Sequence, residues 1–544
     1  MRQYVALFLA FIVAACSGNG SSDRQRALVL SATVGGERVP SSGIVRDVPV
    51  DKCEIVLEFS SEVHVDALSV ALLQFSGGDL EARVGEDASM LILRPVEALS
   101  PSRKYTLTVL AGESFGVDIV EPYTLAFTTE YDRTPKFPEI TDEELLTLVQ
   151  QKTFDYFWSH GHPVSGLARE RLGSGNTVTA GGSGFGIMTL PVAVERGFVT
   201  RAEAAERLRT IVTFLRDKAD RFHGVYPHWM NGETGKVIPF SSKDNGGDLV
   251  ETAFLLQGLL TAAQYFDASG EADIRAGIDA IWRAVEWDWY TQRGQKALYW
   301  HWSPDQGWAM NMQVSGWNEG LIVYVLAASS PTHAVGKEAY DSGWARSGGM
   351  RNGRTFYETV LPLGSDLGGP MFFAHYSFLG LDPRGLKDAY ASYWDQNVAH
   401  ARINHAYCAA NPKGHAGYSD ACWGLTASDY PKGYTASSPT NDRGTIAPTA
   451  ALSSFPYVPE ESLKALREFY YVYGDRLWGE YGFYDAFSLD DSWFAKSYIA
   501  IDQGPIVVMM ENYRTGLLWR LFMQDPDVQK GLSTLGFTRA EQTH

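Results

Sequence analysis

Cysteine is scarce in this chain. Its 544 residues hold four, Cys16, Cys53, Cys408 and Cys422, and no two stand in a CxxC spacing. That excludes the thiolate zinc clusters and the dense disulfide framework of small secreted domains. Positive charge is also short. The 46 Lys and Arg face 64 Asp and Glu, for a formal net charge of −18. Such a field repels phosphate backbones, so nucleic acid is excluded as a partner and an acidic polymer is disfavoured as a substrate. Long apolar runs are missing too: the one at residues 4–15 is too short to span a bilayer. There is no repeat of fixed period, which rules out a regular solenoid.

Aromatic residues, by contrast, are plentiful. They make up 13% of the chain, with 15 Trp and 27 Tyr. Part of that belongs in a core. The excess suits a groove that stacks sugar rings, because an aromatic face packs on the C–H face of a pyranose while its polar edge stays wet. The length calls for two or more domains.

The N-terminus carries Arg2, the apolar run, and Val13-Ala14-Ala15 directly before Cys16, then a flexible stretch to Ser22. This resembles a bacterial lipoprotein signal in which cleavage leaves Cys16 lipidated; the alternative is a plain secretory signal. Either reading exports the chain. The expectation is a lipid-anchored protein on the periplasmic side or at the outer membrane, with residues 1–22 as signal and tether. An oxidising compartment would allow Cys408 and Cys422, close in sequence in a loop-like stretch, to pair as a disulfide. Cys53 reads as a buried apolar residue.

Residues 27–130 read as β-structure. Short β-branched or aromatic runs at 27–34, 53–59, 69–75, 90–94, 105–110 and 123–129 are bounded by turn residues, and several alternate apolar with polar. The expected unit is a small sandwich resembling a bacterial immunoglobulin-like domain, with a spacer role. Residues 131–140, with Pro135 and Pro138, form the linker. From Thr141 the period turns helical and stays so to about residue 540. Thr141 and Glu144 form a capping-box pair, and Leu145, Val149, Phe154 and Phe157 fall on one face. Further helices are expected near Arg201, Asp248, Glu271, Asn318, Ala334, Leu386, Thr445, Glu460 and Pro505, joined by Gly- and aromatic-rich loops.

Glycoside hydrolysis needs one carboxylic acid to protonate the leaving oxygen and a second carboxylate to activate water or to attack. The candidates are acids in loops beside Gly and Trp. Asp244, Asp248 and Glu251 surround the pair Gly246-Gly247 just before an apolar helix. A helix cap explains Asp248 and Glu251 equally well, but not Asp244. Glu319 sits in Gly316-Trp317-Asn318-Glu319-Gly320 at the mouth of an apolar helix, a setting that desolvates a carboxyl and raises its pKa. Asp502 stands before Gly504-Pro505, with Asp485, Asp490 and Asp491 upstream. The stretch from Gly368 to Pro383 packs aromatics around His375 and Tyr376. Trp302, Trp317, His375, Tyr376, Arg169 and Asp485 are the candidate sugar contacts.

Four of these stretches in this order, Asp244-x3-Asp248-x2-Glu251, Gly316-Trp317-Asn318-Glu319, Gly369-Pro370 through Gly380, and Asp502-Gln503-Gly504-Pro505, resemble the bacterial glucoamylase-like proteins of glycoside hydrolase family 144. The resemblance runs from about Pro138 to Phe537. It implies an all-α (α/α)6 barrel after the all-β sandwich, and an inverting attack on β-1,2-glucan, endo-acting in most members and sophorose-releasing in some. It makes Glu319 the general acid and Asp502 the partner that activates water. Asp244, Asp248 and Glu251 would line the scissile subsite. No metal or organic cofactor is implied, and the expected state is a monomer. Two rivals stay open: a lyase or a hydrolase of another linkage on the same toroid, for which a Tyr–His pair would serve as base and acid, and a lipid-anchored glycan-binding protein.

Overall fold

The computed structural model describes residues 24–40, 44–65 and 73–539. The lipoprotein signal with Cys16 and part of the strand expected at 69–75 lie outside the described residues. The chain divides into two compact units, Met1–Tyr131 and Asp132–His544.

The first unit is built from short strands, β1 (Arg26–Ala27), β2 (Val29–Val34), β3 (Glu37–Arg38), β4 (Ile44–Val48), β5 (Ile55–Phe59), β6 (Leu73–Phe75), β7 (Leu80–Val84), β8 (Met90–Pro95), β9 (Lys104–Val109), β10 (Gly112–Ser114), β11 (Val117–Ile119) and β12 (Tyr123–Thr129). They form sheets ordered β3-β2-β5-β8-β7, β4-β12-β9-β6 and β1-β11-β10. Alternation sets the faces: Ile55, Leu57 and Phe59 of β5 and Leu125 and Phe127 of β12 point into one shared core, while Val56 and Glu58 point outward. Cys53 joins that core, and burial pushes its thiol up to about 11.

The second unit carries α1 (Asp142–Ser159), α2 (Ala180–Glu195), α3 (Arg201–Asp217), α4 (Leu249–Tyr265), α5 (Ala272–Arg283), α6 (Leu321–Ser329), α7 (Lys337–Ala339), α8 (Tyr393–Ala410), α9 (Pro448–Leu452), α10 (Pro459–Arg467), α11 (Gly474–Leu477), α12 (Ala500–Arg514), α13 (Leu517–Gln524) and α14 (Pro526–Leu535). Thr141 and Glu144 make both bonds of the capping box at the start of α1. It is not purely helical. Short ribbons occupy the loops: β13 (Thr177–Thr179) with β14 (Trp229–Asn231) and β15 (Val237–Ile238), β16 (Gly247–Asp248) with β17 (His301–Trp302), and the hairpin 427–436 among them. None of the described helices is long and apolar enough to cross a membrane.

Three departures from the sequence reading have local causes. Helix α2 carries Gly181, Gly182, Gly184, Gly186 and Pro191, which hide its periodicity, yet it is buried along nearly its whole length against α4 and α12. Packing overrides propensity there. A Cβ on Gly184 would lie 2.2 Å from the Phe254 carbonyl, and one on Gly258 would lie 2.1 Å from the Gly184 carbonyl. The glycines are what let the α2 and α4 backbones touch. The helix expected near Leu386 starts only at Tyr393, because 386–387 pair with 538–539 as a ribbon. Helix α12 begins at Ala500, so Asp502 lies in its first turn and Pro505 inside the helix.

The expected Cys408–Cys422 disulfide is not formed. Both are free, buried thiols, and desolvation pushes each above its ordinary value, so they pack as small apolar groups. Thermal unfolding with and without a thiol reductant is therefore expected at the same temperature. Loss of a native disulfide would instead cost about 2–5 kcal/mol and lower the midpoint clearly in reductant.

Candidate active site

Three acids that the sequence singled out stand at helix N-termini and converge on one region: Glu251 in the first turn of α4, Glu319 just ahead of α6, and Asp502 in the first turn of α12. The helix dipole favours an anion at each position. A cavity of about 480 Å³ lies there. Its acids are Glu319, Glu251 and Glu170. Trp229, Phe240, Trp300, Phe372, Tyr376 and Tyr434 form its aromatic walls, and Arg171 and His228 are its basic groups.

Glu319 lines the cavity with its carboxyl surrounded by protein. Desolvation, helped by the charges of Glu251 and Asp248, pushes its pKa up to about 7. Such a group is still protonated near neutral pH and can give that proton away. Ser377 donates to the Glu319 carbonyl and also accepts the Ile322 N–H at 3.0 Å, which ties the Tyr376 turn to the start of α6.

Asp248 does cap α4: its Oδ1 accepts the Val250 and Glu251 N–H groups at 3.0 and 2.9 Å. Glu251 does not return the bond. Its Oε2 instead accepts the Gly181 N–H at 2.7 Å and the Thr179 hydroxyl at 3.2 Å, across to the start of α2. A Cβ on Gly181 would sit 2.5 Å from that oxygen, so only glycine allows this approach. Burial pushes the Glu251 carboxyl up, and the nearby His228 pulls it part of the way back.

His228 donates from Nδ1 to Asp248 Oδ2 at 3.1 Å, and Trp300 Nε1 donates to the same oxygen at 3.3 Å. Burial opposes charge on His228, but Glu251, Asp248 and Asp244 outweigh it and raise the imidazole to about 9. His301 Nε2 lies 3.0 Å from Asp244 Oδ1 and 3.3 Å from the Gly246 nitrogen. The Gly246 N–H donates to Nε2. His228, Asp244 and Asp248 offer ligand atoms within 4.8 Å of one another. As a metal site the set fits poorly, because His228 is cationic and both Asp248 oxygens already accept N–H donors.

Asp502 is buried beside the cavity. Its Oδ1 accepts the Tyr376 hydroxyl at 3.1 Å, and burial together with Asp485 pushes its carboxyl well up. Asp485 does not face the cavity; it lies behind Asp502 and accepts the Asp429 N–H at 2.7 Å.

Several expected sugar contacts are elsewhere. His375 is buried against Ser454, and desolvation lowers its pKa to about 3, so it stays neutral. Trp317 packs among Trp344, Phe378, Tyr393 and His400. Arg169 donates to the Gly175 and His160 carbonyls and braces a loop. Trp302 sits edge-on to Trp289 and His223 and is absent from the cavity wall. Trp300 and Arg171, two positions away from Trp302 and Arg169, take the places expected of them. A two-residue period in these extended stretches would have offered both members as candidates. His228, Trp229, Phe240 and Tyr434 carry no local signal that sets them apart.

The helical unit thus holds an aromatic-walled cavity with acids at the mouths of several helices, some with raised pKa values, which makes it the candidate site for a small polar ligand. The family described as "Putative glucoamylase" (Glycoamylase) matches residues 311–526. An exo β-1,2-glucooligosaccharide sophorohydrolase of Parabacteroides distasonis is 49% identical over 420 residues, 73% of this chain and 58% of the relative. This chain thus spans little more than half of that relative's length. The endo-β-1,2-glucanase of Chitinophaga pinensis, solved with sophorotriose and glucose, is 52% identical with a TM-score of 0.72, covering 74% of this chain and 99% of that one. A β-1,2-glucanase structure from Parabacteroides distasonis is 39% identical with a TM-score of 0.71, over 95% of this chain and 73% of that one. The chain belongs to the glucoamylase-like family.

The raised His228 has a measurable consequence. Its stabilising contribution is fully present below its ordinary pKa of about 6.5 and is lost as pH rises through about 9. His228→Gln should therefore destabilise most at pH 6, by at most about 3 kcal/mol, and little above pH 9.5. A penalty constant across that range in denaturant titrations would show that His228 acts only by packing.

Proposed function

We propose that the chain is a glycoside hydrolase that cleaves β-1,2-glucan within the chain by an inverting acid/base mechanism. The observation that carries this reading is Glu319, a cavity carboxyl whose pKa is pushed up to about 7 in a pocket that Tyr376 also lines, with Asp502 buried behind the Tyr376 hydroxyl. Glu319 acts as general acid and protonates the leaving glycosidic oxygen. Asp502 takes a proton from the attacking water, with Tyr376 orienting its carboxylate. Glu251, Asp248 and Asp244 hold the ring at the scissile bond, and Trp229, Trp300, Phe372 and Tyr434 stack the flanking sugars. The names of the glucan-cleaving relatives support the substrate class.

We read the helical unit as an (α/α)6 toroid and the first unit as an immunoglobulin-like spacer. The Val13-Ala14-Ala15-Cys16 run supports lipidation at Cys16 and an exported, membrane-anchored monomer facing the periplasm or the outer membrane. The sophorohydrolase relative favours a second reading, release of sophorose from a chain end, on the same residues.

Incubating residues 23–544 with linear β-1,2-glucan and separating the products over time tests both readings. A ladder of short oligosaccharides marks endo cleavage, and sophorose alone from the first minutes marks the exo reading. No cleavage, with laminarin, cellulose and starch run alongside, would end the linkage assignment. Glu319→Gln and Asp502→Asn should fold normally and lose about 10²–10⁴-fold in kcat. The wild-type kcat/KM should fall above pH 7 as Glu319 ionises; wild-type turnover in either variant would remove that residue from the mechanism.

A further inference from the structure

Among the described residues Trp289 is the only exposed tryptophan, with 40% of its surface open. It is not a loose side chain. Asp288 Oδ1 accepts the Trp289 N–H at 3.1 Å, and His333 Nδ1 donates to the same oxygen at 3.0 Å. The His223 imidazole stacks on the indole, with ring centroids 3.7 Å apart and planes 15° from parallel. His223 Nδ1 donates to Glu286 Oε2 at 2.9 Å, which fixes the ring. His223 itself stands in a two-residue turn. Phe222 and Val225 exchange both backbone bonds, at 2.8 and 3.2 Å, and His223 and Gly224 have φ of +55° and +78°. Such turns favour Asn or Gly, so a histidine there holds its ring in place at a conformational cost.

Two more indoles complete the cluster. Trp302 stands edge-on to both stacked rings, 5.1 Å from His223 and 5.8 Å from Trp289. Trp308 lies 6.5 Å from Trp289 with its plane tilted by 32°. Trp302 and Trp308 flank a turn whose ends, Ser303 and Gly307, pair with each other. Asn245 donates to both oxygens of Asp305 in that turn, at 2.8 and 3.0 Å. A Cβ on Gly246 would lie 2.2 Å from the Trp302 carbonyl, so the Gly246–Gly247 pair lets the loop of Asp244 and Asp248 lie directly against this ribbon. Trp300 lines the cavity and its Nε1 holds Asp248. Trp302 is two residues further along the same extended stretch, on the same face. The cluster therefore continues the aromatic wall beyond the cavity.

The groups around the indoles decide what they hold. Glu286 and Asp288 keep 39% and 59% of their side chains exposed beside Trp289. An apolar protein face laid here would desolvate both carboxylates, and an acidic glycan would be repelled by them. A neutral pyranose suits both features: its C–H face packs on an indole, and its hydroxyls donate to the carboxylates. We propose that His223, Trp289, Trp302 and Trp308 form a second glycan-binding platform, outside the cavity, that holds a more distant stretch of the same neutral glucan chain with the Trp289 indole as its stacking surface. This rests on the reading of the cavity as a β-1,2-glucan site. The platform does no chemistry. It lengthens the grip on a chain whose scissile bond lies at Glu319, so it counts for long substrates and not for short ones.

The experiment compares the wild type and W289A on long linear β-1,2-glucan and on the shortest β-1,2-linked oligosaccharide that the wild type cleaves, with thermal unfolding of both. E319Q and E319Q/W289A are also run through native gels that contain the long glucan. The expectation is that W289A raises KM on the long glucan about 3–10-fold at unchanged kcat and keeps kcat/KM on the short substrate within about twofold. The gel should retard E319Q/W289A less than E319Q. A wild-type KM of W289A on the long glucan would overturn the proposal by showing that Trp289 takes no part in binding. An equal loss on both substrates would overturn it by showing that Trp289 acts on the cavity through packing. Should W289A fail to fold, W289L, which keeps apolar bulk against His223 without a ring face, decides on the same contrast. The reading of the cavity fails in a different way: no cleavage by the wild type and no retardation of E319Q would remove the glucan itself, and the platform's ligand with it.

Discussion

Carboxyl groups buried together cannot all be ionised, and the second unit is arranged around that constraint. Glu251 and Glu319 line one cavity and Asp502 and Asp485 are buried behind it, all four desolvated, so each unpaired negative charge is expensive. The chain meets the cost in different ways at different positions. Glu319 remains protonated up to about pH 7. Asp485 and Asp502 are both pushed up, chiefly by burial. Glu251 has hydrogen bonds at 2.7 and 3.2 Å and the nearby His228, and Asp429 has Arg171. A carboxyl pushed up to about 7, one held by hydrogen bonds and a neighbouring imidazole, and two buried acids pushed up by desolvation therefore coexist in and behind one cavity, a spread of environments that sets neighbouring acids apart.

The helices supply the frame for this arrangement. Acids at the N-termini of α4, α6 and α12 meet because α2 lies against both α4 and α12, and α6 lies against α4. The contact between α2 and α4 depends on Gly184 and Gly258, and that between Glu251 and the start of α2 depends on Gly181. A side chain at any of these positions would push the helix ends apart and open the acid cluster to water, and the pKa shifts that depend on desolvation would decline with it. Glycine content that weakens α2 as an isolated helix is thus what sets the spacing of the charged groups.

The cavity wall divides between framework and loops. Thr179 and Trp229 come from the β13–β14 pairing and Tyr434 from the hairpin at 427–436. His415, bonded to Asp490 at 2.6 Å and 3.2 Å from Asp442, ties the loop that carries this hairpin to the 487–494 ribbon. The loop leading to this hairpin is therefore braced by partly buried His–Asp contacts and does not rest on helix packing alone.

The sequence was informative wherever a property is local. Acids placed just before apolar runs marked Glu251, Glu319 and Asp502, because a helix start, a glycine and an adjacent apolar segment are visible within a few residues. The capping box of α1 and the alternating strands of the first unit were legible for the same reason. What tertiary structure alone decided are the relations between distant segments. Trp300 lines the cavity where Trp302 was expected, and Arg171 where Arg169 was: residues two apart share a face of an extended stretch, and only the position of that stretch along the cavity separates them. Helix α2 exists because neighbouring helices bury it. Cys408 and Cys422 remain thiols, Trp317 and His375 are core residues, and Asp485 stands behind Asp502. A side chain's chemistry is written in its own position, but its direction, its burial and the charge of its neighbours are set by residues hundreds of positions away. For a carboxyl those three quantities decide whether it holds a proton.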